Sequence, residues 1–318
     1  MGNEQAAGGL DHRGSSPKWR RFALAALCAA ALTLAGVAAW ASFGRSEDAA
    51  SLSGSVFVVG SESLRPSVTA CAQDFMMRNP QADVIVKGGG SGDGVAALLH
   101  GLTEVAMASR ELTPREREYA RANAIELAEF PLALDGVAII VNRQNSVADM
   151  SVGQVRDIFA GTLQNWSELG SGEGEIRPFA RAAGSGTAFM FGERVLGAQS
   201  YAASVQRLST NEAIVADVAE RRESIGYTDL GALKRGGNRV RAIALRADAQ
   251  SSPVTASAES IGSGQYPLSR RLTLITAGIP TGVAKAFVDY CQSAAGQAVF
   301  ERAGFIAAKQ LAQQLGKE

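Results

Sequence analysis

The sequence predicts an α/β protein of two lobes, each a mixed, mainly parallel sheet flanked by helices, with a ligand cleft between them. Three observations carry this. A chain of 318 residues that is 46% hydrophobic exceeds an ordinary single compact domain and can fill two cores. Short β-rich runs alternate with helical patterns throughout the chain after Ser53, the order that builds parallel sheets. Several of the 35 glycines gather with Ser and Thr at the ends of the expected strands, where open sheets bind ligands.

The N-terminal segment, residues 1–53, has a character of its own. Arg13, Lys18, Arg20 and Arg21 precede an uncharged apolar run from Phe22 to Phe43. Ala39 and Ala41 offer a small-residue cleavage site for a signal peptide, yet the run is also long enough to cross about 30 Å of hydrocarbon as an anchor. Either way, the basic flank stays cytoplasmic and the globular part is exported, to the periplasm or the exterior of the cell envelope. Cys28 in the middle of this run reads as apolar filler.

From there the elements follow in order. Val56 to Val59 reads as a strand, and Pro66 to Arg78 as a helix with Val68, Cys71, Ala72 and Phe75 on one face. A strand at Val84 to Val86, a helix from Gly94 to His100 and a strand at Val105 to Ala108 complete a βαβαβ unit with parallel strands. A second set runs Gly136 to Val141 (strand), Val152 to Phe159 (helix), Ile176 to Phe179 (strand) and Thr187 to Leu196 (helix). Beyond it lie a helix from Asn211 to Arg221 and strands at Ser224 to Tyr227, Val240 to Leu245 and Leu272 to Thr276. Helices at Gly282 to Tyr290 and Gly296 to Ala303 end the pattern, and the Ser- and Ala-rich stretch from Asp248 to Ser263 reads as surface loop. The chain passes between lobes near Pro131 to Asp135 and Tyr266 to Arg271. This gives lobe one residues 54–134 with 268–318, and lobe two residues 135–267.

Composition excludes several functions. Lys+Arg 31 against Asp+Glu 31 leaves no basic field to follow a nucleic acid backbone. The histidines are His12, in the N-terminal segment, and His100, which reads as the cap of its helix. No GxSxG elbow, CxxC, His pair or EF-hand loop is present, so catalytic residues, a metal site and a cofactor are not expected. Neither GxxxxGK[ST] nor strict GxGxxG occurs. Gly92 to Ala97 meets only a relaxed form, whose Asp93 would face a pyrophosphate. Trp166 reads as core of the second lobe. Cys71 and Cys291 remain in the exported part, where an oxidising compartment permits a bridge between them and two buried thiols are the alternative.

What does stand out is a set of turns: Gly60-Ser61-Glu62-Ser63, Gly88 to Gly94, Ser109-Arg110, and Arg181 to Thr187. Gly admits an anion close to the backbone, the N–H groups of a helix start point at it, and Ser or Thr adds hydroxyl donors. One such turn is ordinarily an N-cap. Four on successive strand ends point to an oxyanion cradle.

These residues, in this order, resemble the phosphate-binding proteins of high-affinity ABC importers, within the type II periplasmic binding protein fold. The resemblance covers nearly all of Gly54 to Ala307. It adds to the turns above Asp135-Gly136-Val137, Asn165-Trp166, Ile225-Gly226-Tyr227, Tyr266-Pro267-Leu268-Ser269-Arg270, and Gly296-Gln297 with Gly304-Phe305-Ile306. It implies that the Ser63 hydroxyl and the Leu64 N–H hold one phosphate oxygen and Ser91 another, while Arg181, Ser185, Gly186 and Thr187 bind from the second lobe. Many members carry an acid directly after the Ala-Ser of the third turn, and here Arg110 stands in that place. Direct contact with phosphate and a structural surface role both remain open for Arg110. Asp135 is then the available acceptor for a phosphate proton, which would favour protonated phosphate over sulfate. Its alternative is a salt bridge with Arg110 or Arg181 that organises the pocket. The resemblance further implies a monomer that delivers phosphate to the membrane permease subunits of an ABC importer. A tethered sensor or scavenger of an oxyanion, with no importer, is the alternative.

Overall fold

The computed structural model describes residues 52–308, so the expected signal or anchor, apart from Leu52 and Ser53, lies outside the described residues. Alternation begins at once: Val56 and Val58 are buried on one face of β1 (Gly54–Gly60). After the Gly60 turn, Pro66 starts α1 (Arg65–Arg78), where a missing N–H costs nothing. Then follow β2 (Ala82–Lys87), α2 (Ser91–Leu99) and β3 (Val105–Ala108). Thr113 opens α3 (Pro114–Ala122) with a capping box completed by Glu116. The chain continues through β4 (Leu127–Gly136), β5 (Ala138–Asn142), β6 (Asp149–Ser151), α4 (Val152–Phe159), β7 (Arg177–Arg181) and α5 (Gly186–Phe191). A wider π-type turn, Gly192–Leu196, extends α5, so the helix expected from Thr187 to Leu196 is two pieces. Next come β8 (Gln206–Leu208), α6 (Asn211–Glu220), β9 (Ser224–Thr228), α7 (Leu230–Gly236), β10 (Val240–Ala242) and β11 (Ala244–Arg246). The chain closes with α8 (Ala258–Gly262), β12 (Ser269–Ala277), α9 (Gly282–Gln292), α10 (Ala294–Ala303) and β13 (Ile306–Ala307).

Two sheets organise these elements. The first runs β13-β4-β12-β3-β1-β2, the second β10-β5-β9-β7-β8, and β11 pairs with β6 apart from both. The expected βαβαβ unit is present, with β1 parallel to both β2 and β3. Parallel pairing is confined to such units, however, and recurs only where β7 meets β8 and β9 and where β11 meets β6. Where mainly parallel sheets were expected, β12 is antiparallel to β3 and β4, and β5 to β9 and β10. The reason is connectivity: β4 carries the chain out of the first sheet and β12 brings it back, so the two lie side by side in opposite directions. The single strand expected from Val240 to Leu245 divides for a related reason. β10 completes the second sheet against β5, and after Ile243 the chain turns to pair β11 with β6.

Each sheet buries an aromatic cluster. Phe75 of α1 meets Phe287 of α9 edge-on at 5.6 Å, with Cys71 and Cys291 buried beside them as thiols. Under the second sheet, Phe191 stacks on Tyr227 at 4.1 Å and Phe159 packs against both. Trp166 is core, as expected, and its Nε1 donates to the Glu223 carbonyl at 3.0 Å. His100 sits at the C-terminal cap of α2. The stretch expected as loop from Asp248 to Ser263 ends in the short α8, capped by Ser257. Among the described residues no helix is long and apolar enough to cross a membrane.

Candidate functional site

Ends of strands from both sheets converge on one buried polar cluster. β1 delivers Ser63 through its C-terminal turn, α2 begins at Ser91, and Ser109 follows β3 directly. From the second sheet come Arg181 at the end of β7, Thr187 in the first turn of α5, Asn211 at the start of α6 and Asp229 after β9. β4 and β12 contribute Asp135 and Arg270, which are direct partners across the antiparallel ladder. Opposite charges placed so on adjacent strands are within reach by construction.

Arg270 is the hub. Its Nε and Nη2 lie 2.8 and 2.7 Å from Asp135 Oδ2. Its Nη1 donates to Thr187 Oγ1 at 2.8 Å and its Nη2 to Ser63 Oγ at 3.1 Å. Ser63 Oγ also lies 3.3 Å from Thr187 Oγ1 and accepts from the Asn211 amide at 3.0 Å. Asn211 in turn accepts from Arg181 Nη1 at 2.7 Å and donates to Asp229. Arg181 Nη2 is bound to the Ser209 carbonyl at 2.6 Å, while its buried Nε has no partner. Beside this core, Ser91 Oγ accepts from the Ser109 N–H at 3.0 Å and touches the Ser109 hydroxyl.

All of these side chains are buried, and a charge withdrawn from water must be compensated nearby. Two guanidiniums and two carboxylates provide that compensation. Burial pushes Asp135 up to about 6, against the pull of Arg270 and with the nearby charge of Asp229 adding to the rise. Burial also lowers Arg181 from the ordinary guanidinium value. The Asp135 carboxylate takes the Leu230 N–H at 3.0 Å on Oδ1 and Arg270 on Oδ2. Asp229 instead takes neutral donors: it caps α7 through the Ala232 N–H and faces the Asn211 amide.

The cleft closes tightly around the cluster. The Gly92 N–H donates to the Gly184 carbonyl at 3.1 Å across the two sheets. A Cβ on Gly90, whose φ is 132°, would come 2.6 Å from that carbonyl. A Cβ on Gly186 would come 2.3 Å from Ser91 Oγ and 2.5 Å from Ser109 Oγ. Glycine is therefore required at both positions by close approach.

The residues expected from the sequence fall into three groups. Ser63, Ser91, Asp135, Arg181, Gly186 and Thr187 are brought together. Leu64 and Ser185 stand at the edge with their polar groups engaged locally: the Leu64 N–H donates to the Ser61 carbonyl at 3.2 Å, and Ser185 Oγ caps α5. Arg110 is paired within its own lobe. It forms a two-pronged pair with Glu116 at 2.8 and 2.6 Å and lies over the Phe189 ring. Burial works to raise the Glu116 pKa, but hydrogen bonds from Arg110 and Thr113 outweigh it and hold that carboxyl below its usual value. Asp135 is in a salt bridge, with neither of the partners anticipated: Arg270 takes the place offered to Arg110 or Arg181. The sequence assigns no ligand role to Arg270, Asn211, Asp229 or Ser109, although Ser109 belongs to one of the cradle turns. All four sit at strand ends, at a helix start, or inside a motif already singled out, which is the signal that pointed to them.

Chemically, the cluster offers hydroxyls and guanidiniums to an oxyanion and two carboxylates to a ligand proton. Among the described residues no group of three or more His, Cys, Asp or Glu is placed to hold a metal ion. No hydroxyl in the cluster is hydrogen-bonded to a histidine.

Comparison with known proteins agrees with this architecture. A PBP superfamily domain matches residues 45–295. The phosphate-binding protein PstS of Bacillus subtilis is 31% identical over 241 residues, 76% of each chain. Among solved structures, a candidate phosphate ABC transporter substrate-binding protein from Clostridium perfringens, with bound phosphate, superposes with TM-score 0.72 at 28% identity, over 80% of this chain and 99% of that one. An ABC-type phosphate transport receptor from Vibrio cholerae gives 0.65 at 25%, over 79% and 99%. The fold is thus that of the type II binding proteins.

Proposed function

The chain belongs to the PBP superfamily and, within it, to the PstS-like solute-binding proteins, and we propose that it captures inorganic phosphate in the cleft for an ABC importer. The observation that carries this is the buried cluster itself. Ser63, Ser91 and Thr187 hydroxyls and the Arg181 and Arg270 guanidiniums converge from both sheets. A small oxyanion gives up its hydration only if fixed donors replace it, and charge-assisted bonds from two arginines are the strong form of that replacement. Leu64 and Ser185 stand at the edge of the same site, and Gly186 lies against Ser91 and Ser109. Arg110, already paired with Glu116, stands outside the proposed ligand set.

The two sheets are the cores of two lobes, residues 54–134 with 268–318 and residues 135–267. They close on the ligand and bring Thr187, Arg181 and Asn211 against Ser63 and Arg270. The closed form is what the permease subunits recognise. Residues 1–53 place the protein outside the cytoplasm as a cleaved signal or as an anchor. The protein acts as a monomer and turns nothing over.

Calorimetric titration with phosphate, arsenate, sulfate and molybdate tests the reading. Phosphate and arsenate are expected to bind at least tenfold tighter than sulfate and molybdate. Absence of phosphate binding, or hydrolysis of phosphate esters lost in Arg181→Ala, would overturn it.

A further inference from the structure

We propose that Cys71 and Cys291 form an intramolecular disulfide in the exported protein, tying the helix that follows the first ligand turn to the C-terminal return of the chain. The evidence is the packing of α1 against α9. Cys71 and Phe75 are one turn apart on α1, and Phe287 and Cys291 are one turn apart on α9. Phe75 meets Phe287 at 5.6 Å. Residues four apart share a helix face, so that contact places Cys71 and Cys291 one turn away on the facing sides of the two helices. Cys71 is close enough to add to the rise that burial imposes on the Cys291 thiol. Both residues are fully buried.

The surroundings hold this pair in place and offer it little else. Cys71 Sγ lies 3.8 Å from the Gly296 carbonyl. Gly296 itself has no room for a side chain, since a Cβ would come 2.7 Å from the Cys291 Cα. The start of α10 therefore presses α9 onto α1. A bond between them needs the sulfurs about 2.05 Å apart. Burial raises the Cys291 thiol well above its ordinary pKa, so the reactive thiolate is accessible before the helices pack and not after. The step is thiol–disulfide exchange. One thiolate attacks the disulfide of an envelope oxidoreductase or of oxidised glutathione, and the second displaces the mixed disulfide. The two cysteines lose two electrons and two protons, and the oxidant leaves as two thiols.

Such a bond would close a loop containing the whole second sheet without touching the cleft, so it acts on stability and leaves binding alone. The inference rests on the proposed export for its oxidant, and two preparations separate the two ideas. Full-length protein isolated from the cell envelope, and full-length protein refolded with oxidised and reduced glutathione, are denatured and alkylated with and without reductant. Labels are mapped by peptide mass, so that Cys28 is counted apart. Cys71 and Cys291 are expected to label only after reduction in both preparations. Reduction should lower Tm by about 5–15 °C. Cys71→Ser should show the lower Tm with no response to reductant, and phosphate affinity should stay within twofold throughout. Labelling without reductant overturns the proposal. Labels in the isolated protein alone trace the failure to the compartment, and labels in the refolded chain trace it to the geometry.

Discussion

Asp135 and Asp229 are both fully buried carboxylates in one cleft, yet their neighbours divide the work between them. Asp135 is neutralised by Arg270, whose guanidinium it aims at Ser63 and Thr187. Asp229 is held by an amide and a backbone N–H, with no guanidinium hydrogen-bonded to it, so it is expected to be the carboxylate that repels a fully ionised ligand and accepts a hydrogen bond from a protonated one. Asp229→Asn keeps the helix cap, since Asn caps as well as Asp. It is expected to raise sulfate affinity relative to phosphate by about tenfold, near 1.4 kcal/mol, in competition calorimetry. Unchanged selectivity would return that role to Asp135. Arg270→Ala leaves Asp135 buried and unpaired and should cost about 3–5 kcal/mol in urea unfolding. Replacing both partners, as Asp135→Leu with Arg270→Met, should recover most of that stability and none of the phosphate binding. Asp135 also fixes a pH dependence. Its folded pKa of about 6 lies above the ordinary carboxylate value of 3.8. Between these values the native state holds more protons than the unfolded chain, so this group's contribution to stability falls as pH rises through 6. Asp135→Asn should flatten the decline of Tm from pH 5 to pH 7 relative to the unmutated protein.

At the scale of elements, α3 explains both a success and a failure of reading the sequence. Capping signals such as Thr113-Pro114 with Glu116 are local, so helices that carry them lie open to inspection. Yet the sequence of α3, Pro-Arg-Glu-Arg-Glu-Tyr-Ala-Arg-Ala, presents only Ala120 to the core and so lacks the apolar stripe that marks a helix. Glu116, the partner of Arg110, is hidden for the same reason. The turns holding Ser63, Ser91, Arg181 and Thr187 were legible because glycine and hydroxyl residues are chemically specific at strand ends. Arg270 was not: its role depends on β12 lying antiparallel to β4 at a register fixed across 135 residues of chain, which no local pattern encodes. The consequence is testable on Arg110. Arg110→Ala should leave phosphate affinity within about threefold, since a charge already paired adds little to binding. A loss beyond tenfold would place its guanidinium on the ligand.

For the whole molecule, function reduces to whether the two sheets can meet. Polar contacts join them across the cleft, among them Gly92 N–H to the Gly184 carbonyl, Asn211 to Ser63, Arg270 to Thr187, and Arg194 to the Ser269 carbonyl at 2.8 Å, with the Arg110 guanidinium lying over the Phe189 ring. Packing of aromatic rings on one another lies within each sheet's own layer and does not cross the cleft. Stability and closure are therefore carried by different residues, and a substitution can separate them. Gly186 is the place to do so. An alanine there would drive its Cβ to 2.3 Å from Ser91 Oγ and 2.5 Å from Ser109 Oγ, both on the opposite side of the cleft. Inside a single core, such overlap would cost about 1–3 kcal/mol of folding stability. Across a cleft it is relieved by opening, so the cost falls on the closed state alone. Gly186→Ala is expected to keep its Tm within about 3 °C in thermal unfolding and to lose about 10- to 100-fold in phosphate affinity, the closed-state penalty converted at 1.4 kcal/mol per tenfold. Small-angle scattering with saturating phosphate should then show a larger radius of gyration than the unmutated protein with ligand. A variant that binds and compacts normally would mean that Ser91 and Gly186 do not meet in the bound state, and that the ligand is held by one lobe.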